Sequence, residues 1–273
     1  MKIPASIRNA FDDQEAKYKR LREKVDNAVK SFRKSRWHYE SRVKELQSYA
    51  LKLESGRFRD PRGLEDFFAC TLVVVNLAEV EEAEQLIRQR FDFHERRPTA
   101  ASLTHKRPDS FLFDDLRLYV AIAADPNMPP TGLEGVRFEF QVKTFLQHAW
   151  SIATHDLVYK TDDVNWSKQR IAYQTKAMLE HAEVSIQEAA KLAASGALAK
   201  EDPQTENLKR AIALLREQWT ADLLPTDVRR LADNFLGLAK NLRLDLDRFK
   251  AVLDAGKATT GSHPTNLSPY ATL

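Results

Sequence analysis

The run DFFACTLVVVN at residues 66–76 constrains the fold more than any other feature, because it is apolar from Phe67 to Val75 on both of its faces. It is too short to cross a bilayer, which takes about 20 residues as a helix. A run apolar on both faces is what a central strand covered on two sides looks like. Such a strand needs neighbours. GVRFEFQVK (135–143) alternates, with Val136, Phe138, Phe140 and Val142 on one face and Arg137, Glu139, Gln141 and Lys143 on the other. LRLYVAIAA (116–124) reads as a further strand and 92–96 as a short one. Between them, residues 77–91 form a charged helix with Val80, Ala83, Leu86 and Ile87 inward. With 8 Gly and 11 Pro in 273 residues, the tight turns of an all-β protein are missing.

The remainder is helical. Ile7, Phe11, Tyr18, Leu21, Val25 and Val29 predict an amphipathic helix over 6–34. Trp37, Val43, Leu46, Ala50 and Leu53 predict a second, stopped at Gly56, before the basic loop GRFRDPRG (56–63). Residues 97–110 and 125–132 read as loops. Three helical segments follow, at about 144–198 (broken near 160–165), 203–219 and 226–254, then a tail at 256–273 without periodicity, expected to be mobile. Two apolar helix faces, Leu208, Ile212, Leu215 and Trp219, and Leu231, Phe235, Leu238 and Leu242, suit a core, an oligomer contact or a regulator's seat equally. A homo-oligomer therefore stays open. The expected class is α+β: a small mixed sheet flanked by N-terminal and C-terminal helices.

Composition sets limits on function. Hydrophobic residues make up 43% and charged residues 30%, enough for a sizeable core. A single cysteine, Cys70, excludes an internal disulfide and a cysteine-based zinc site. The N-terminus MKIPASIRNAFDD lacks an apolar signal core, so a soluble cytoplasmic protein with no membrane partner is expected. Residues 1–60 carry 16 Lys/Arg against 9 Asp/Glu, which suits either polyphosphate or RNA or simply a solvated helix face.

The densest chemistry lies in EFQVKTFLQHAWSIATHDLVYK (139–160). The strand's polar face presents Glu139, Gln141 and Lys143. The helix expected after it carries Thr144, His148, Ser151, His155 and Tyr159 at steps of four, three, four and four, on one stripe. A carboxylate, an amide, a cation, two imidazoles and a phenol lining one cleft suit phosphate and metal. The same stripe facing water is an ordinary solvated face, and periodicity alone does not separate the two.

The pattern Glu139-x-Gln141-x-Lys143-Thr144, then Trp150, His155 and Tyr159-Lys160, resembles the RelA/SpoT-type (p)ppGpp synthetase domain, in which a strand E-x-Q-x-R-T runs into a helix with W, H and a terminal Y-K. The resemblance spans about residues 40–165. The family's D-x-x-G-x-R keeps its acid at Asp66, while Ala69 and Thr71 stand for Gly and Arg. For the R-x-K that precedes this strand, the second expected helix offers Lys52, with Ala50 in the arginine's place; Arg57, Arg59 and Arg62 are candidate substitutes. The acceptor loop G-Y-x-S-x-H is replaced near Ser110–Asp115, where Phe111 remains to stack on a base.

The resemblance implies a nucleotidyltransferase-like synthetase fold and transfer of pyrophosphate from ATP to a ribose 3′-hydroxyl, with Mg2+ as cofactor. Asp66 and Glu139 are the implied metal ligands, and Asp66, Glu139 and Gln141 the implied catalytic groups. Glu139 is a second ligand or the base that takes the hydroxyl proton. Lys52, Arg57, Arg59, Phe111, Lys143 and His155 are the implied substrate contacts. The implied organisation is a helical segment 1–40, a synthetase core 41–165, a helical region 166–255 and the tail 256–273. GDP or GTP is the first acceptor expected. The altered loop and basic N-terminus also suit a toxic relative acting on an adenosine nucleotide or the tRNA 3′ end, with an antitoxin protein as possible partner. The missing arginines and tyrosine suit a degenerate nucleotide-binding module. His155-Asp156 invites a metal-dependent phosphohydrolase reading, but among preceding helices none offers a suitable His and acid.

Overall fold

The computed structural model describes residues 2–54, 64–99, 115–124, 126–127, 129–154, 165–195, 202–264 and 266–272. The chain divides into two compact units, Met1–Leu192 and Ala193–Leu273.

The first unit opens with α1 (Ala5–Phe32), whose Phe11, Tyr18, Leu21, Val25 and Val29 are buried at heptad-like spacing. Then comes β1 (His38–Val43), where the sequence predicted helix. HYESRV also alternates: Tyr39, Ser41 and Val43 point inward and His38, Glu40 and Arg42 outward. Pairing with the next strand satisfies its backbone, and that tertiary contact overrides the local helical periodicity. The helix starts later, as α2 (Leu46–Glu54).

The apolar run becomes β2 (Phe68–Val74), and Phe68, Leu72, Val73 and Val74 are fully buried. A 3₁₀ turn (Leu77–Glu79) leads into α3 (Val80–Arg90), followed by β3 (Asp92–Arg97), β4 (Leu116–Ala121), β5 (Phe138–Thr144) and α4 (Phe145–Thr154). The five strands lie in the order β1-β2-β5-β4-β3. Only β2 and β5 are parallel among these pairs; the others are antiparallel. β2 is thus central, as expected, and the fold is α+β.

One face of the sheet is apolar. Cys70, Leu72, Phe138, Phe140, Val142, Leu118 and Val120 join α1 and α3 in one buried cluster. Phe67, just before β2, stacks on Tyr18 at 4.5 Å and meets Phe11 and Tyr49 at 5.3 Å, which locks α1 and α2 to the start of β2. The last helix of substance in this unit, α5 (Trp166–Gln187), is capped by Asn165 and docks on α4, with Trp150 Nε1 donating to the Ala172 carbonyl at 3.0 Å. Trp150 is core, whereas Trp166 and Phe145 are not. Trp166 sits at the first position of α5, 76% exposed, and Phe145 at the first of α4, 42% exposed.

Beyond the short α6 (Ala189–Ala193), the second unit contains α7 (Pro203–Gln218), α8 (Val228–Asn241), α9 (Leu246–Thr260) and α10 (Pro269–Thr272). The two apolar faces read from the sequence close on each other: Leu215, Trp219, Leu231 and Phe235 are buried together with Phe249 and Leu253. Leu242 is left 54% exposed, because the expected single helix over 226–254 is broken there. Arg243 adopts φ 56°, and Asp245 caps α9 by accepting from Arg248 N at 2.8 Å. The tail is partly structured. Gly261, at φ 77°, ends α9 in the left-handed conformation that suits glycine, and His263 stacks on Trp219 at 4.5 Å. Among the described residues no helix is long and apolar enough to cross a membrane.

Candidate active site

Strand register places the polar side chains in rows across the second face of the sheet. Arg42 pairs with Ala69, Ala69 with Glu139, Glu139 with Tyr119 and Tyr119 with Glu95. The next row runs Glu40, Thr71, Gln141, Arg117 and Arg97. A third holds His38, Val73 and Lys143. Since side chains alternate along each strand, all of these project to one side, opposite Phe138, Phe140 and Val142. The polar strand face read from the sequence is therefore one wall of a five-strand polar surface.

Glu139 stands at its centre, only 5% exposed. One oxygen accepts from the Tyr119 hydroxyl at 3.1 Å and the other from the Gln141 amide. The Arg117 guanidinium lies 3.9 Å away and donates to Asp115 at 2.9 Å. Burial, and then the Glu139 charge, push the Tyr119 phenol up to about 12, so it stays protonated and donates. Burial also raises the Asp115 carboxyl against the pull of Arg117 and Lys143, and it lowers the Lys143 ammonium. Asp115 Oδ2 is buried with no hydrogen-bond partner among the described residues.

Asp66 forms the second focus. Its Oδ2 accepts from Lys44 at 2.9 Å and Lys52 at 2.5 Å. Burial alone would raise this carboxyl; the Lys52 hydrogen bond and the Lys44 and Lys52 charges outweigh it and hold it below the usual carboxylate range. Lys44 follows Arg42 by two residues and continues the outward face of β1, while its N–H donates to the Phe67 carbonyl at 2.8 Å. The sequence reading sought R-x-K at 50–52. Lys52 reaches Asp66 from α2, where Ala50 is fully buried; Arg42-Val43-Lys44 is a second R-x-K string, on β1, and its Lys44 meets the same carboxylate. Residues two apart point in different directions on a helix, whereas on a strand they share a face. Arg117 and Tyr119 were missed as well, although LRLYVA alternates and places both opposite Leu116, Leu118 and Val120.

The donor set fits a hard divalent cation. Asp66 Oδ1 is buried and has no hydrogen-bond partner among the described residues, while its sister oxygen is fixed by two ammonium groups. A carboxylate oxygen held this way is a suitable magnesium ligand.

The expected stripe of five divides. Thr144 ends β5 and is 1% exposed; its hydroxyl bonds Glu183 of α5 and accepts from Gln147 N at 3.1 Å, so it joins strand to helix and lines no cleft. Ser151 bonds the His148 carbonyl at 2.8 Å within its own helix. His148 is 9% exposed, and burial pulls its imidazole below the usual range. His155, Tyr159 and Lys160 lie outside the described residues, as do Arg57, Arg59, Arg62 and Phe111. A separate cavity of about 620 Å³ opens beside α3 and α5, lined by Glu84, Arg88, Lys176 and Glu183; of the residues above that face the polar surface, Asp115 alone reaches it.

Residues 41–164 match the family model described as the region found in RelA / SpoT proteins. Among curated proteins none matches significantly. Solved structures share the fold. A GTP pyrophosphokinase family protein from Streptococcus pneumoniae superposes with TM-score 0.53 at 17% identity, covering 68% of this chain and 93% of its own. Small alarmone synthetase 2 from Bacillus subtilis gives 0.51 at 15% identity, covering 67% and 97%. Small alarmone synthetase 1 from the same organism gives 0.51 at 14%, covering 69% and 97%. Residues 41–164 of this chain are thus similar to the region found in RelA / SpoT proteins, on a fold shared with these synthetases.

Proposed function

We propose that this chain is a pyrophosphokinase that moves the β,γ-pyrophosphoryl group of ATP to the 3′-hydroxyl of a guanosine nucleotide, GDP or GTP. The 3′ oxygen forms a bond to the β-phosphorus, the bond from that phosphorus to the α,β-bridging oxygen breaks, and AMP leaves. One observation carries the reading. A family domain sets Arg42, Lys44 and Asp66 at the β1–β2 end of the polar face, and sets Glu139, oriented from both sides, on the parallel strand next to β2.

The roles follow from the contacts. Asp66 would hold Mg2+ through Oδ1, with Glu139 as second carboxylate; a bound magnesium neutralises developing charge on the phosphates. Lys44 and Lys52, now neutralising Asp66, are placed to turn toward a triphosphate. Arg42, Arg117 and Lys143 add cations to the same face. Glu139 keeps lone pairs beyond those used by Tyr119 and Gln141, and in this reading one of them takes the 3′-hydroxyl proton. Orientation and charge supply most of the acceleration, and a positioned base contributes about 10²–10⁴-fold.

The altered acceptor loop, with Phe111 where the family has tyrosine, favours a second reading in which the acceptor is an adenosine nucleotide or the tRNA 3′ end. Purified protein incubated with ATP, magnesium and, in turn, GDP, GTP, AMP, ADP, ATP and deacylated tRNA separates the two. Product with GDP or GTP supports the first, and product confined to adenosine nucleotides or tRNA supports the second. Nucleotide binding without product under any acceptor contradicts both and leaves the degenerate module.

A further inference from the structure

We propose that His38, Glu40 and His148 form a binding site for one zinc-class divalent ion at the edge of the sheet. His38 and Glu40 sit two residues apart on β1, so the strand's alternation sends both side chains to its outer face. His148 comes from the first turns of α4, and its ring lies 5.8 Å from that of His38. One ligand atom from each of the three lies within 4.8 Å of the others. Metal–nitrogen bonds of about 2.0–2.1 Å put tetrahedral ligand atoms roughly 3.3 Å apart. Rotation of the two exposed side chains on β1 closes that difference while the buried ring stays in place.

Burial supplies an independent observation. His148 is 9% exposed, and its Nδ1 is buried with no hydrogen-bond partner. A buried polar atom without a partner is costly and calls for an explanation. An ion among the three residues gives this ring the partner that no group among the described residues supplies. Two imidazoles and one carboxylate select zinc, cobalt or nickel over magnesium, which takes oxygen ligands. Three protein ligands leave a fourth position open. Lys143 interacts with both Glu40 and His148, so an arriving cation meets a like charge, and the Glu40 carboxylate offsets it. The site uses neither Asp66 nor Glu139 and requires no assumption about the nucleotide chemistry.

The test is metal uptake by the chelator-stripped full chain, titrated with Zn2+ in a calorimeter and with Co2+ in a spectrophotometer. The expected result is one ion per chain and the intense visible absorption of four-coordinate Co2+. Loss even of a group that only hydrogen-bonds a metal ligand costs about 10–100-fold in metal affinity, so removing a ligand costs at least about 10-fold. His38→Ala and Glu40→Gln, both exposed and unable to disturb the core, should each weaken binding by that much. Asp66→Ala should bind zinc as the wild type does. Absence of uptake, or affinity unchanged in both His38→Ala and Glu40→Gln, overturns the proposal.

Discussion

Lys44 Nζ lies 2.9 Å from Asp66 Oδ2, so the chain leaving β1 delivers a cation to the carboxylate that opens β2. With Lys52 on the same oxygen, two ammonium groups hold one carboxylate. In the proposed reaction a magnesium triphosphate would offer those lysines phosphate oxygens and Asp66 a metal in exchange. Lys44→Met removes one partner in that exchange. Turnover is expected to fall about 10²-fold, the size of losing one preorganised electrostatic contact, with KM for ATP raised. Steady-state kinetics checks this, and unchanged kcat and KM would place Lys44 outside the site.

The same ion pairs make stability depend on pH. The Asp66 carboxyl is held below its ordinary value by the lysines, so its contribution is fully present above the unfolded carboxylate range, near about 3.9. It is lost as pH falls through the depressed folded value. Asp66→Asn mimics the protonated form. Urea unfolding of both proteins should show wild type more stable at neutral pH, with the gap closing below about pH 4. A gap that stays constant across that range would show that the lysines do not stabilise the charge.

In the proposed reaction Tyr119 acts as a positioning residue. Its hydroxyl donates to Glu139 at 3.1 Å and accepts from Arg97 at 3.1 Å. Tyr119→Phe keeps the ring and removes the donor. Leaving a buried carboxylate oxygen one donor short costs about 1–3 kcal/mol. If that cost is paid in the transition state, kcat falls about 10-fold with KM for ATP little changed. A merely structural role would lower the melting temperature and leave kcat of the folded fraction intact.

Docking of α5 depends on Trp150, which is 2% exposed and donates to the Ala172 carbonyl at 3.0 Å. Trp150→Ala should destabilise the first unit by about 3–5 kcal/mol, the usual cost of removing a buried large aromatic. Chemical denaturation followed by far-ultraviolet circular dichroism measures it. A loss under about 1 kcal/mol would mean that this helix pair is held elsewhere.

The legible parts of this fold were those where local pattern and tertiary environment agree. Phe138, Glu139, Phe140 and Gln141 alternate because one face of β5 is core and the other polar, and the sequence reads the same way. The two apolar faces around Leu215 and Phe235 were equally plain, but only the structure shows them closing on each other. β1 was misread because Trp37, Val43, Leu46 and Ala50 satisfy a helical period, and the pairing that overrides it lies about 30 residues away in β2. Reading β1 as helix also hid Arg42 and Lys44, although Lys52 does reach Asp66 beside Lys44. Thr144 looked like part of a helical stripe because sequence does not mark where a strand hands over to a helix; its bond to Glu183 depends on α5 folding back.

The most direct measurement is the product balance of the purified chain with ATP, magnesium and GDP or GTP, resolved by ion-exchange chromatography and mass spectrometry, for wild type and Glu139→Gln. The account predicts one AMP for each acceptor molecule that gains two phosphoryl groups at its 3′ position, and loss of both products in the variant. ATP cleaved to ADP, or a wild-type rate retained by Glu139→Gln, would contradict it.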